Sequence, residues 1–359
     1  MTFRRERGNE GKTAMIINDF GSACRSAALT GAVILVSAQA NAQDPVANFY
    51  RGKTITIGVG FTAGGGYDLH ARTLARHFGK HIPGNPSIVV KNVPGAAGLV
   101  LANALANTAP KDGTEIAIFD RAIPLEPLVS PDRARFDALK LNWIGSTDND
   151  VSTCFAWHAA RVKTFDDLLQ HELVVGGTGT GGNAHIYPKV LNAVLGTKFK
   201  LIPGYPGSTE VLLAMERGET EAFCSMGFVT LEYTKPHWVR DKTVNVLVQL
   251  GITKNKDHLD VPLALDLAKT AADRQAIELV VSPNLFARPF TAPPDVPSER
   301  VAALRKAFNA TLADPEYLAE AAARKMQVVL VKGEEIDDVL KRIYGMPRSV
   351  MDRVKEAIK

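Results

Sequence analysis

Apolar and polar positions divide the chain into short β-like runs that alternate with helical stretches. Ile55 and Ile57 alternate with threonines to open the first run, 88–90 makes a second and 115–119 a third. Between them Ala71, Leu74, Ala75 and Phe78 fall at helical spacing, as does the stretch 99–106, which Pro110-Lys-Asp-Gly113 closes. A second block begins near Val151, with strand-like runs at 152–157, 173–175, 199–202, 222–224 and 244–250. Gly196 and Gly218 stand where helices of this block end. After a Pro-rich stretch, 288–297, Ser298 with Val301, Leu304, Arg305 and Phe308 reads as a capped amphipathic helix, and Val350, Val354 and Ile358 stripe a last one. The rhythm predicts an α/β chain of two lobes, each a mainly parallel sheet flanked by helices, with a ligand cleft between them. The expected division is 43–150 with 250–359 for the first lobe and 151–249 for the second.

Two glycine-rich loops stand out within this pattern. Each follows a β-like run and opens a helical one. The first is Thr62-Ala63-Gly64-Gly65-Gly66-Tyr67-Asp68 and the second is Thr178-Gly179-Thr180-Gly181-Gly182-Asn183. A strand that feeds a bare turn and then a helix gathers free N–H groups and a positive dipole end at one place. Two such places more than a hundred residues apart predict two cradles that face each other across the cleft and grip a small carboxylate. The hydroxyl and amide groups of Thr62, Tyr67, Thr178, Thr180 and Asn183 add donors beside them. Asp68 falls at a helix N-cap position, with its oxygens directed into the loop backbone.

Composition adds an address. Arg4, Arg5, Arg7, Lys12 and Arg25 lead into a short apolar run, 27–36, and Ala40-Asn41-Ala42 has the small-x-small form of a cleavage site. Residues 1–42 therefore read as a signal peptide and the mature protein as periplasmic. The true start is either Met1 or Met15. Five Lys/Arg and three Asp/Glu precede Gln43, so the whole-chain totals of 42 and 38 become 37 and 35, a net charge near +2. That balance, with no basic stripe interleaved with aromatics, excludes nucleic acid as a partner. Cys24 leaves with the signal. Cys154 and Cys224 remain, as one disulfide or as two buried thiols.

Other chemistry is weakly signalled. Gly177-Thr-Gly179-Thr-Gly-Gly182 fits the dinucleotide pattern, but the stretch about twenty positions on carries no acid for a ribose, and neither loop ends in Gly-Lys-Ser/Thr. No cofactor is expected. His77 and His81 have a metal-like spacing, but Gly79 and Pro83 end the helix there, so no metal is expected either. No Gly-x-Ser-x-Gly elbow is present. The rival to a binding receptor is a periplasmic enzyme acting on a small carboxylic acid, with His185 beside the second loop. A third reading is a ligand sensor for a signalling partner. Tyr67, Trp157, Tyr187, Tyr205 and Phe228 are candidates for an aromatic pocket or for core packing.

An ordered motif series adds a family. Phe61-Thr-Ala-Gly-Gly-Gly-Tyr-Asp68, Asn92-Val-Pro-Gly-Ala-Ala-Gly98, Ala109-Pro-Lys-Asp-Gly113, the loop Gly177 to Asn183, Ile202-Pro-Gly-Tyr-Pro-Gly207 and Arg217-Gly-Glu-Thr-Glu221 follow one another along the chain. In this series the chain resembles the substrate-binding receptors of tripartite tricarboxylate transporters, the TctC or Bug-type proteins. The resemblance implies a two-lobed periplasmic binding fold of the type II kind. It implies capture of a small organic anion, often a di- or tricarboxylate or an aromatic acid, and delivery to integral membrane transporter subunits; a monomer without catalytic activity is expected beside it. It also implies that backbone amides of the two loops, 62–68 and 178–183, hold the ligand carboxylate. Tyr67 stands where the family has a small hydroxyl residue, and Tyr205 lies in the loop where it commonly has a lysine. Arg121, unusual at its place, is available either for a distal carboxylate or for a surface pair with Asp120.

Overall fold

The computed structural model describes residues 44–359, so the leader sequence and Cys24 lie outside it. The strands are β1 (Thr54–Val59), β2 (Ser87–Asn92), β3 (Glu115–Ile118), β4 (Asn142–Ser146), β5 (Ser152–Trp157), β6 (Leu173–Gly176), β7 (Phe199–Ile202), β8 (Ala222–Gly227), β9 (Val244–Leu250), β10 (Pro289–Ala292) and β11 (Val331–Lys332). They form two sheets, ordered β11-β4-β10-β3-β1-β2 and β7-β6-β8-β5-β9. The two-lobed α/β architecture read from the sequence is the observed one.

Each sheet has a parallel part built as the rhythm predicts. In the first, β1 pairs in parallel with β2 and β3, with Ile57 opposite Val90 on one side and Ile116 on the other. In the second, β6 lies parallel to β7 and β8. Ile55, Ile57 and Val59 are buried, and the helix Gly66–Phe78 lays Ala71, Leu74 and Phe78 on the sheet. Burying Leu74 and Phe78 contributes roughly 1.5–3 kcal/mol each.

The sheets are less parallel than expected, for a topological reason. The chain passes from one to the other at residues 147–151 and again at 251–288. The strands that flank these passages run against their neighbours: β5 is antiparallel to β8 and β9, and β10 to β3 and β4. A strand arriving from the other lobe lacks the helical crossover that would turn it parallel. The helices Ala271–Val281 and Arg348–Ile358 both pack on the helix Asn183–Leu195 of the second sheet. One apolar cluster runs continuously from Phe119, Trp143 and Phe286 to Ile186, Tyr187 and Val280. The helix Ser298–Leu312 begins at Ser298, with Pro297 rather than the serine at the cap.

Cys154 and Cys224 face each other across β5 and β8 and form a disulfide of 2.06 Å. Their separation of 70 residues closes a long loop, so replacing both by alanine is expected to cost about 2–4 kcal/mol of stability. A urea titration of the oxidised protein against the double variant reads this directly; coincident midpoints would mean the bond constrains nothing.

Candidate functional site

The first glycine loop behaves as its sequence predicts, with one correction. The helix begins at Gly66 with Gly65 at the cap, so Asp68 is its third residue rather than its cap. The Asp68 carboxylate still turns back into the loop, where Oδ2 accepts from the Gly64 amide at 3.0 Å. Arg72 and Asn92 also donate to it. Burial pushes its pKa up, but the hydrogen bonds from Arg72, Gly64 and Asn92 outweigh burial and hold it below the usual carboxylate range. Gly64 is thus spent on the protein's own acid. The amides of Gly65, Gly66 and Tyr67 have no acceptor among the described residues. They are the orphan donors of a 13-residue helix.

These amides face a cavity between the two sheets. It is lined from the first sheet's side by Phe61, Thr62, Gly65, Gly66, Tyr67, Asp120, Arg121 and Arg288. Thr178, Ala184, Gly207, Ser208, Phe223, Ser225, Met226 and Thr230 line it from the second. The cavity has an empty volume of about 510 Å³, part of it open to solvent. Thr62 donates to the Glu210 carboxylate at 3.0 Å across the mouth. Ser225, at φ 117, holds a backbone conformation that side chains rarely adopt.

Two guanidinium groups reach this space. Arg121 is buried, which removes the surface-pair reading. Its Nη1 donates to Asn284 at 2.7 Å and lies 3.9 Å from the Asp150 carboxylate. Its amide donates to the Tyr67 hydroxyl at 3.0 Å. Arg288 is different. It is 3% exposed, it has no carboxylate within ion-pair distance among the described residues, and its Nε has no acceptor. Its remaining bonds run to the Ala287 carbonyl and the Thr230 hydroxyl. The guanidinium lies 4.7 Å over the Tyr67 ring, and a Cβ added at Gly66 would sit 3.2 Å from its Nη2. The buried carboxylates of Asp120 and Asp148 are near enough to interact with it electrostatically, but neither is in ion-pair contact, and a buried charge without such contact is costly. Arg288 stands beside the dipole end of the helix Gly66–Phe78.

The second glycine loop is used differently. A Cβ at Gly179 would lie 2.3 Å from Ala96 Cα, and one at Gly182 would lie 2.6 Å from Ala97 Cβ. The glycines of this loop are bare because the turn within Asn92-Val-Pro-Gly-Ala-Ala-Gly98 packs on them. Two motifs far apart in sequence are one contact between the lobes. The Asn183 amide donates to Asp120 Oδ1 at 3.3 Å, and the Gly182 amide to the Gly179 carbonyl. Thr180 accepts from Arg133 and is exposed. Of this loop only Thr178 lines the cavity, and its hydroxyl has no partner. The Asn183 side chain is buried with both polar atoms unpartnered.

Of the other predicted site residues, Ala63 and Gly64 are exposed beside the mouth, and Tyr205 packs on Gly176 away from the cavity lining. Among the aromatic candidates Tyr67 alone lines the cavity. Trp157 meets Trp238 edge to face, Phe228 lies tilted against His258, and Tyr187 is buried with its hydroxyl on Asn284. Arg288, Asp120, Ser208 and Thr230 were not singled out as ligand residues. Ser208 and Thr230 sit in the first turns of helices that open after Gly207 and Gly227, so a glycine before a helical pattern was their signal. Arg288 gave only the hint of a cation leading into an apolar run.

The histidines carry no metal or acid–base arrangement at the cavity. His77, Asp314 and Glu316 offer atoms within 4.8 Å of one another. Lys80, however, lies 2.7 Å from Asp314 and 2.5 Å from Glu316 and satisfies both carboxylates. His185 is not part of the cavity lining, and burial first, then Lys189 and Arg133, lower its pKa to about 4. The folded state therefore favours its neutral ring. Its contribution to stability is complete above pH 6.5 and is lost as pH falls from there to about 4, because the unfolded chain takes up the proton first. His185→Gln should narrow the drop in melting temperature between pH 7.5 and pH 4.5; an unchanged drop would place the titration elsewhere.

The two sheets with a cavity between them form the two-lobed α/β fold seen in periplasmic binding proteins. No protein-family profile matches the chain. It is 30% identical over 199 residues to the UPF0065 protein in gbd 5'region of Cupriavidus necator, a match covering 54% of this chain and 58% of that relative, less than two thirds of its length. Among solved structures it superimposes on the periplasmic binding protein BugD with a TM-score of 0.68 at 19% identity, covering 86% of this chain and 98% of that one. MatC from Rhodopseudomonas palustris, solved with bound malate, gives 0.65 at 17% identity over 86% and 99%. The fold is thus the one that the TctC/Bug resemblance implies.

Proposed function

We propose that the chain is an extracytoplasmic solute receptor that binds a small organic carboxylate between its lobes. Residues 1–42 are its signal peptide, 43–150 with 250–359 one lobe and 151–249 the other. The observation that carries the reading is the Arg288 guanidinium, buried with no carboxylate in ion-pair contact and with its Nε unpartnered, beside the unpaired amides of Gly65, Gly66 and Tyr67. An anionic group makes the direct contact that the guanidinium lacks and accepts from several donors at once, and charge-assisted hydrogen bonds are the strong ones. Thr62, Tyr67, Arg121 and Thr178 complete the lining. The residues 179–183 contribute by fixing the closed arrangement of the lobes, and Ala63, Gly64, Asp68 and Tyr205 by shaping the loops around it.

Closure by a hinge at the two passages excludes water and strengthens the electrostatics of the site. The bound acid of MatC, malate, is of the chemical kind this reading requires. Delivery to the membrane subunits of a secondary tripartite transporter follows from the ordered motif series and completes the proposal, with the receptor a monomer. The lining residues provide no acid–base pair placed as an enzyme would need, which favours capture over turnover.

A thermal-shift screen of organic acids against the mature protein tests the reading, since a bound ligand raises apparent stability by mass action. The expected result is a concentration-dependent rise for at least one carboxylate, with the acid recovered unchanged. Chemical conversion of the acid would favour the enzyme.

A further inference from the structure

Strand β8 carries one residue more than its partner β5 where it reaches the cavity. Thr153 lies opposite Met226 and Cys154 opposite Cys224, so Ser225 has no partner residue on β5 and forms a bulge. In an unbroken strand Phe223 and Ser225 would face one way, and Cys224 and Met226 the other. Instead Phe223 and Met226 join one apolar cluster with Phe155, and Cys224 joins another with Cys154. The extra residue thus brings Phe223, Ser225 and Met226 together into the cavity lining. It does so at a cost: Ser225 sits at φ 117, where a residue with a Cβ is rarely found. Two ties hold it there, one on each side. The Cys154–Cys224 disulfide joins the strands immediately before Ser225, and the Thr153 hydroxyl donates to the Met226 carbonyl at 2.8 Å immediately after it.

The serine itself gives the fold nothing in return. Its hydroxyl makes no hydrogen bond among the described residues, although the residue is half-buried. Glycine would hold the same backbone without the penalty. A rare conformation, tied down on both sides and ending in an unused hydroxyl inside a binding cavity, is a feature of the site rather than of the core. We propose, resting on the receptor reading above, that Ser225 donates to the bound acid and that the disulfide is a positioning element of the binding site, which aims this hydroxyl by fixing the bulge. The bond then contributes to affinity as well as to stability.

Calorimetry and thermal melts on the mature protein test this, with malate, adipate, glutamate, aspartate and benzoate as probes and the tightest binder among them carried through. Ser225→Gly should lower the affinity about tenfold or more, the loss of one hydrogen bond to a charged group. Its unliganded melting temperature should not fall, since glycine adopts φ 117 readily. Cys154→Ala with Cys224→Ala should also weaken binding about tenfold. Adding Ser225→Gly to that pair should cost less than about threefold more, because both changes remove the same contact. Thr153→Val keeps the cysteines joined and frees the other side of the bulge. It should show the same shortfall with Ser225→Gly, and it replaces the alanine pair if that pair does not fold. Affinity kept in Ser225→Gly returns the serine to the fold and overturns the proposal. Losses that multiply in full overturn the positioning role of the disulfide. Both results leave the carboxylate receptor standing. If none of the probes binds while other acids of a wider screen do, the tightest of those takes their place; binding of no acid at all removes the receptor reading with it.

Discussion

Gly65→Val is expected to weaken carboxylate binding by about 100-fold or more, the equivalent of roughly 3 kcal/mol of overpacking. The position tolerates a side chain in its backbone: Gly65 has φ −82, which valine adopts freely. What it lacks is room. A single Cβ would already lie 3.3 Å from Ser208 Oγ, across the cleft on the other lobe. The valine methyls would fill the space above the Gly65, Gly66 and Tyr67 amides and prop the lobes apart. The fold should survive, since the added atoms enter the cavity rather than the core. Calorimetry against the best acid from the screen, with circular dichroism as the control, checks both halves. Normal affinity would mean that the ligand does not use this helix end.

Arg288→Gln should have the second large effect, and it separates binding from stability. Hydrogen bonds that involve a charged group contribute about 1.5–3 kcal/mol each, so the affinity should fall by about ten- to a hundredfold. The melting temperature of the unliganded variant should not fall, because an unpaired buried guanidinium is an expense of the native state. Glutamine keeps a donor toward the Thr230 hydroxyl. A structural arginine would behave in the opposite way, with stability lost and affinity kept.

Much of this architecture was legible in the sequence because the pattern is physically redundant. In β1 the alternation and the parallel pairing agree, and the loop Thr62 to Asp68 has a strand before it and a helix after it. Asp68 shows a limit of such reading. A short acid near a helix start suits the cap and the third position alike, and the chain takes the third, where the carboxylate reaches Gly64. The second loop shows another. Glycines at 179 and 182 are consistent with an anion cradle or with a backbone pressed against another backbone. Only the fold brings Ala96 and Ala97 there to decide it. Arg288 was hidden because β10 is four residues long and buried throughout, so it has no alternation to reveal it. The Pro-rich stretch around it reads as a linker. Asp120 was visible only as the neighbour of Arg121, since its approach to Asn183 spans 63 positions and two lobes.

The most direct test is a crystal structure of the mature protein with the tightest acid from the screen. The carboxylate oxygens should lie about 2.7–3.1 Å from the Arg288 guanidinium and from at least two of the amides of Gly65, Gly66 and Tyr67. A carboxylate bound elsewhere, with Arg288 and those amides satisfied by protein or water alone, would contradict the assignment.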